Sequence, residues 1–244
     1  MFRLILALLI AVVYLILFLP VELVLFLLGK KDGWLARARY TRPIIQWIFR
    51  VLLWVCGIKV TVKGLENIPD EPVLYVANHQ SLFDILVAYT QMPQATGFIS
   101  KKEVDRIPLL RDWMRFIGCL FLDRKDPRSG LQMIIDAIGR VQAGLSIFVF
   151  PEGTRRPAED GGMQEFHEGT MKIASKSGCP VVPVAITGTR KCFEAHLPWV
   201  RAGHATITFG KPFRVADLEK PLQRHSGAYA RERIQELLGE DTGK

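Results

Sequence analysis

His79 and Asp84 stand five residues apart where the apolar run Val73-Leu74-Tyr75-Val76-Ala77 ends and, after Asn78, a second apolar stretch Ile85-Leu86-Val87-Ala88 begins. The first run reads as a buried strand, and Ser81 with Asp84 has the spacing of a capping box at a helix start. With Ser81 as N-cap, His79 falls just outside the helix and Asp84 in its first turn, its side chain directed back toward the N-terminus. Asp84 can then accept a hydrogen bond from one imidazole nitrogen and leave the other as a base. A purely structural reading also stands: Asp near a helix start is favoured by capping and by the helix dipole, and a His at a strand end can be a satisfied polar group. A second strand exit, Phe148-Val149-Phe150-Pro151-Glu152-Gly153-Thr154-Arg155, turns from apolar to polar in the same way. Two such exits from one sheet can face a shared crevice.

Holding these groups requires a sheet with helices on its faces. Strands are expected at 58–62, 73–77, 97–100, 119–122, 146–150, 181–186 and 205–209, and helices at 82–91, 108–117, 128–143, 166–177 and 227–238. Gly178 and Gly239 close the last two helices. Continuous apolar runs such as Ile147-Phe148-Val149-Phe150 imply strands covered on both faces. The fold class is therefore α/β with a largely parallel central sheet. Ile58 to Val62 alternates as an edge strand would.

The 244 residues suit one compact domain plus an anchor, divided here as 1–57 and 58–244. An excess of 32 basic over 24 acidic residues gives +8, compatible with nucleic acid, an anionic bilayer or a phosphate-rich substrate. The N-terminus favours the last two. Leu4 to Leu28 is almost wholly apolar, long enough to cross a hydrocarbon core of about 30 Å. Gly29-Lys30-Lys31-Asp32-Gly33 follows it, rather than a small-residue cleavage site. The expectation is a hydrophobic helix followed by an amphipathic one carrying Ile44, Ile45, Trp47 and Ile48. Pro20 admits a kinked, in-plane anchor as well as a spanning one. Lys30, Lys31, Arg37, Arg39 and Arg42 after the segment, against Arg3 before it, place the rest of the chain in the cytoplasm if it spans. Trp47, Trp54 and Trp113 are candidates for the interfacial level, with buried packing the equal alternative. Cys56, Cys119, Cys179 and Cys192 form no CxxC pair and, with the histidines, no zinc spacing, so they read as small buried hydrophobes and no metal is expected.

Four blocks together carry a family resemblance: Asn78 to Asp84, Gly118-Cys119-Leu120-Phe121-Leu122-Asp123-Arg124, Phe150 to Arg155, and Val182-Pro183-Val184-Ala185-Ile186. In this order, with Gly64 to Pro69 and Lys101-Lys102-Glu103 before Ile107-Pro108, the chain resembles the glycerolipid acyltransferases typified by 1-acylglycerol-3-phosphate acyltransferase, over roughly residues 58 to 215. The resemblance implies transfer of a fatty acyl group from acyl-CoA or acyl carrier protein to the sn-2 hydroxyl of 1-acyl-sn-glycerol-3-phosphate, lysophosphatidic acid, giving phosphatidic acid. It implies no cofactor and no metal, a membrane-lipid partner rather than a nucleic acid, and the cytoplasmic side of the plasma (inner) membrane. His79 is then the general base and Asp84 fixes its tautomer, with the substrate itself supplying the nucleophilic oxygen. The absence of a GxSxG elbow agrees, and Ser81 reads as a cap. Arg124 and Arg155 are candidates for a phosphate dianion. Glu152, Gly153 and Thr154 share their loop with Arg155, Gly for close backbone approach and Glu to orient an arginine or a glycerol hydroxyl. Lys102 is a candidate for oxyanion or phosphate contact, though Lys101 and Lys102 equally read as solvated lysines. Pro183 reads as shaping an edge or bulge, where strand proline is tolerated, or as present for packing alone. A different lysolipid acceptor and a non-catalytic lipid-binding module are the alternatives; a nucleic-acid binder rests on net charge alone.

Overall fold

The apolar N-terminal run breaks into two helices. In the computed structural model, which describes residues 2–155 and 162–242, α1 (Phe2–Leu17) and α2 (Leu19–Asp32) meet at a 55° bend. Pro20 sits in the first turn of α2, where its missing N–H costs nothing and its ring ends the preceding helix. Three helices therefore replace the expected two, the third being α3 (Trp34–Cys56) with Pro43 inside it. Among the described residues no single helix is long and apolar enough to cross a membrane, whereas the bent pair meets that measure only together.

Alternation along α1 and α3 separates an inner from an outer face. Ala7 and Tyr14 of α1 and Ala38, Thr41, Ile45 and Ile48 of α3 are buried, while Leu8, Leu9, Val12, Tyr40, Trp47 and Trp54 are exposed. The Arg3 guanidinium donates to the Cys56 carbonyl at 2.8 Å, tying the start of α1 to the end of α3. Trp113 departs from the interfacial expectation: it is 2% exposed and packs on Tyr14 at 5.4 Å between ring centroids.

Beyond α3 the chain alternates strands and helices: β1 (Ile58–Lys63), β2 (Leu74–Ala77), α4 (Phe83–Gln91), β3 (Thr96–Lys101), α5 (Leu110–Phe116), β4 (Leu120–Leu122), α6 (Pro127–Gln142), β5 (Ser146–Val149), α7 (Glu168–Ser177), β6 (Val181–Thr187), α8 (Thr189–Cys192), β7 (Gly203–Phe209), α9 (Lys220–Arg224) and α10 (Ser226–Thr242). Among the described residues the strands form one seven-stranded sheet in the order β1-β7-β6-β2-β5-β3-β4. Every neighbouring pair is parallel except β6 with β7, and β1 lies at the edge. Pro183 departs from the expected edge or bulge: it pairs with Val76 inside the sheet, just beyond the Val184–Thr187 stretch that pairs with β7, so its lack of an N–H falls where that ladder has ended.

Strand alternation sends Tyr75, Ala77, Phe148 and Val182 into a core with α1 to α5, and Leu74, Val76, Ile147 and Val181 into a second core with α6, α7 and α10. Both sheet faces are covered, which is why the central strands read as unbroken apolar runs. All four cysteines are buried, and burial pushes the Cys56 thiol up to about 11 and that of Cys119 to about 12.

Asn78 extends the β2–β6 pairing past the last residue of β2. Its side chain donates to the Ile186 carbonyl at 2.9 Å and accepts from the Ile186 N–H at 2.8 Å, fully buried. Replacing Asn78 with Ala strands both Ile186 groups without water, and the expected loss is about 2–4 kcal/mol. Urea unfolding of the two proteins in the same detergent measures it.

Candidate active site

The chain leaves β2 through Asn78 and turns at His79, Gln80 and Ser81 into α4. The helix begins at Phe83, and the Ser81 hydroxyl accepts the Phe83 N–H at 3.1 Å. Asp84 reaches back as the capping-box spacing requires. Its Oδ2 accepts the Ser81 N–H at 2.7 Å, the Gln80 N–H at 2.7 Å and the His79 Nδ1–H at 2.9 Å. Its Oδ1 accepts the Thr189 hydroxyl at 2.5 Å. Asp84 is fully buried, so these donors replace the water that an ionised carboxylate would otherwise need. With Nδ1 committed to Asp84, Nε2 is the nitrogen left to the cleft that His79 lines. The imidazole stacks on Phe150, ring centroids 3.9 Å apart, which fixes its plane.

The cleft has a volume of about 590 Å³ and lies at the C-terminal edge of the sheet. The exits of five adjacent strands converge on it. In sheet order β6 leads to Arg190, β2 to His79, β5 to Gly153, Thr154 and Arg155, β3 to Lys101 and β4 to Arg124. Gly153 has φ +66, the left-handed conformation that lets its loop turn against the cleft. Arg155 donates to Glu194 Oε1 at 3.1 Å. Leu82, Phe193 and Leu197 provide apolar lining. The structure thus brings His79, Asp84, Arg124, Gly153, Thr154 and Arg155 to one place.

Two of the sequence-derived site residues take other positions. Lys102 engages Asp123 at 3.3 Å, and the Lys125 N–H together with that ammonium holds the Asp123 carboxyl below its ordinary range. Lys101, the last residue of β3, lines the cleft instead. Glu152 is 7% exposed and does not line the cleft. Its carboxylate accepts the His79 N–H at 2.6 Å and the Gln164 N–H at 2.9 Å, so it braces the backbone behind the imidazole. Sequence reasoning missed Thr189, Arg190 and Glu194. The signal was a third strand exit, Thr187-Gly188-Thr189-Arg190, directly after the fourth block.

Burial pushes the Glu152 carboxyl above its usual range, against the pull of the two N–H groups. The folded chain then holds this proton where the unfolded chain has already lost it, so ionisation subtracts stability as pH rises between the two values. Wild type is expected to lose stability relative to Glu152→Gln across that interval and to run parallel to it above. Denaturant titrations at several pH values measure the difference, and a constant gap contradicts it.

Comparison with known proteins bears on this geometry. A family model described as Acyltransferase matches residues 59–187. The chloroplastic 1-acyl-sn-glycerol-3-phosphate acyltransferase BAT2 of Brassica napus is 42% identical over 160 residues, 63% of this chain and 45% of the relative. The 1-acyl-sn-glycerol-3-phosphate acyltransferase of Borreliella burgdorferi is 32% identical over 145 residues, 59% of this chain and 57% of the relative. This chain spans about half the length of the curated relatives it matches. The crystal structure of the 1-acyl-sn-glycerophosphate acyltransferase PlsC from Thermotoga maritima superposes with a TM-score of 0.79 at 28% identity, covering 99% of this chain and 97% of that one. The matched span carries His79, Asp84, Arg124 and Arg155 on the strand exits and the start of α4, and the chain belongs to the Acyltransferase family.

Proposed function

We propose that the chain transfers a fatty acyl group from a thioester, acyl-CoA or acyl carrier protein, to the sn-2 hydroxyl of 1-acyl-sn-glycerol-3-phosphate, forming phosphatidic acid. The observation that carries this reading is the His79 Nδ1 to Asp84 contact of 2.9 Å, with the imidazole lining a cleft that also holds Lys101, Arg124 and Arg155. The names of the relatives and of the matching solved structure support the same acceptor.

His79 Nε2 takes the proton of the acceptor hydroxyl as its oxygen attacks the thioester carbonyl. Asp84 balances the imidazolium that forms. The tetrahedral intermediate collapses with loss of the C–S bond, and the imidazolium returns its proton to the departing thiolate. No acyl-enzyme forms, because the substrate supplies the nucleophile. Arg124 and Arg155 bind the acceptor phosphate, and Lys101, which lines the cleft where Lys102 does not, contacts the phosphate or the oxyanion. Glu152 keeps the His79 backbone in place and touches no substrate.

Both substrates carry long acyl chains, so delivery from a bilayer belongs to the mechanism. The apolar outer faces of α1, α2 and α3 support an anchor lying in one leaflet, the bend at Phe18 being easier to accommodate in the interface than across the hydrocarbon core. Lys30, Lys31 and Arg39 beside the α2–α3 junction favour the anionic cytoplasmic leaflet of the inner membrane, to which basic side chains near the surface are attracted.

Purified protein given radiolabelled acyl-CoA or acyl carrier protein with a panel of lysolipids tests the reaction and the acceptor together. Phosphatidic acid is the expected product, and a different acylated lipid would reassign the acceptor. His79→Ala is expected to lower the rate about 10²–10⁴-fold while remaining folded; near-wild-type transfer would remove the base assignment. Arg124→Ala and Arg155→Ala are expected to raise KM for the phosphorylated acceptor about tenfold or more and to leave KM for the thioester unchanged.

A further inference from the structure

The segment after β6, which lies outside all four sequence blocks, reaches both halves of the cleft. Gly188 has φ +81, and a Cβ there would stand 2.1 Å from the His204 carbonyl oxygen, so the chain turns sharply against β7 at this point. The next residue, Thr189, is fully buried and donates to Asp84 Oδ1 at 2.5 Å. Five residues further on, Glu194 Oε1 accepts two groups, the Leu82 N–H at 2.7 Å and the Arg155 guanidinium at 3.1 Å. Leu82 immediately precedes α4, the helix that carries Asp84. One short segment therefore touches the carboxylate behind the base and the arginine beside it.

We propose that Gly188 to Glu194 is a positioning platform that sets the base and the phosphate clamp against each other, Thr189 acting through Asp84 and Glu194 acting through Arg155. The inference rests on the acyl-transfer reading and adds two positioning residues to it. Asp84 has two oxygens and one geometry that serves His79. Three donors from residues 79 to 81 crowd Oδ2, and without a partner on Oδ1 the buried carboxylate has an unsatisfied oxygen that can be relieved by rotating out of line with Nδ1. The Thr189 hydroxyl removes that option. It comes from the start of α8, just beyond β6, rather than from the His79 loop, so it also registers the dyad against the neighbouring strand. Glu194 does the same for Arg155, a long side chain 45% exposed that otherwise samples many rotamers. By holding it beside the start of α4, Glu194 lowers the entropy lost when a phosphate arrives.

The two contacts predict separable kinetics. Thr189→Val, close in shape but without a donor, is expected to lower kcat about 10- to 100-fold with KM for both substrates nearly unchanged, and Thr189→Ser to restore most of it. Glu194→Gln keeps an acceptor for the Leu82 N–H but loses the charge facing Arg155. It is expected to raise KM for the acceptor roughly three- to thirtyfold, with kcat and thioester KM little altered. Equal loss of kcat and thermal stability in Thr189→Val and Thr189→Ser, or an acceptor KM unmoved in Glu194→Gln, overturns the proposal. If wild type transfers no acyl group to any lysolipid, the functional reading fails first. The platform is then read without turnover, from the His79 Nδ1 proton by NMR: a resolved, slowly exchanging signal in wild type that broadens in Thr189→Val supports it, and an identical signal in both refutes it.

Discussion

A carboxylate sealed from water must find its hydrogen bonds inside the protein, and in this molecule that requirement falls on Asp84. Four donors meet it, three from the turn between β2 and α4 and one from Thr189 beyond β6. An ionised buried carboxylate lacking such partners would be strongly destabilising, so the turn, the helix start and the neighbouring strand exit are mutually constrained. The imidazole inherits that constraint through a single contact at Nδ1. Glu152 applies a second one from behind, through the His79 N–H.

The sheet order explains why these contacts come from such distant parts of the chain. β2 lies between β6 and β5, which follow it by more than a hundred and by about seventy residues, and its parallel neighbours end at the same edge. Loops leaving parallel strands converge at their C-terminal ends, so each exit contributes one or two polar side chains to a common cleft. Asn78 keeps β2 and β6 in register where the backbone ladder has stopped. Beneath the site Phe98, Phe148 and Phe150 pack in succession under the imidazole, giving it a rigid apolar floor.

The N-terminal helices belong to the same arrangement. Gln46 of α3 donates to the Tyr89 and Met92 carbonyls at the end of α4, and the Arg50 guanidinium donates to that of Thr90. Those bonds satisfy carbonyls that a helix end leaves unpaired. The helix that starts at the His79–Asp84 pair is thereby clamped at its other end by the element whose outer face is apolar.

Local chemistry alone determined much of this protein. Apolar runs marked the seven strands, Ser81 with Asp84 marked the helix start, and the five-residue spacing of His79 and Asp84 marked the dyad, because each depends on residues near one another in the chain. Pro20 carried the break in the N-terminal run, although the length of the apolar stretch argued for one helix. What only the tertiary structure decided are the contacts between strand exits. Lys101 rather than Lys102 faces the cleft because β3 ends there and the next residue turns to Asp123. Glu152 lies behind the imidazole because β5, which leads to it, pairs with β2, and Thr189 and Glu194 reach Asp84 and Arg155 because β6 sits on the other side of β2. Sequence separation hides such pairings, since nothing in a strand's own residues states which strand will lie next to it.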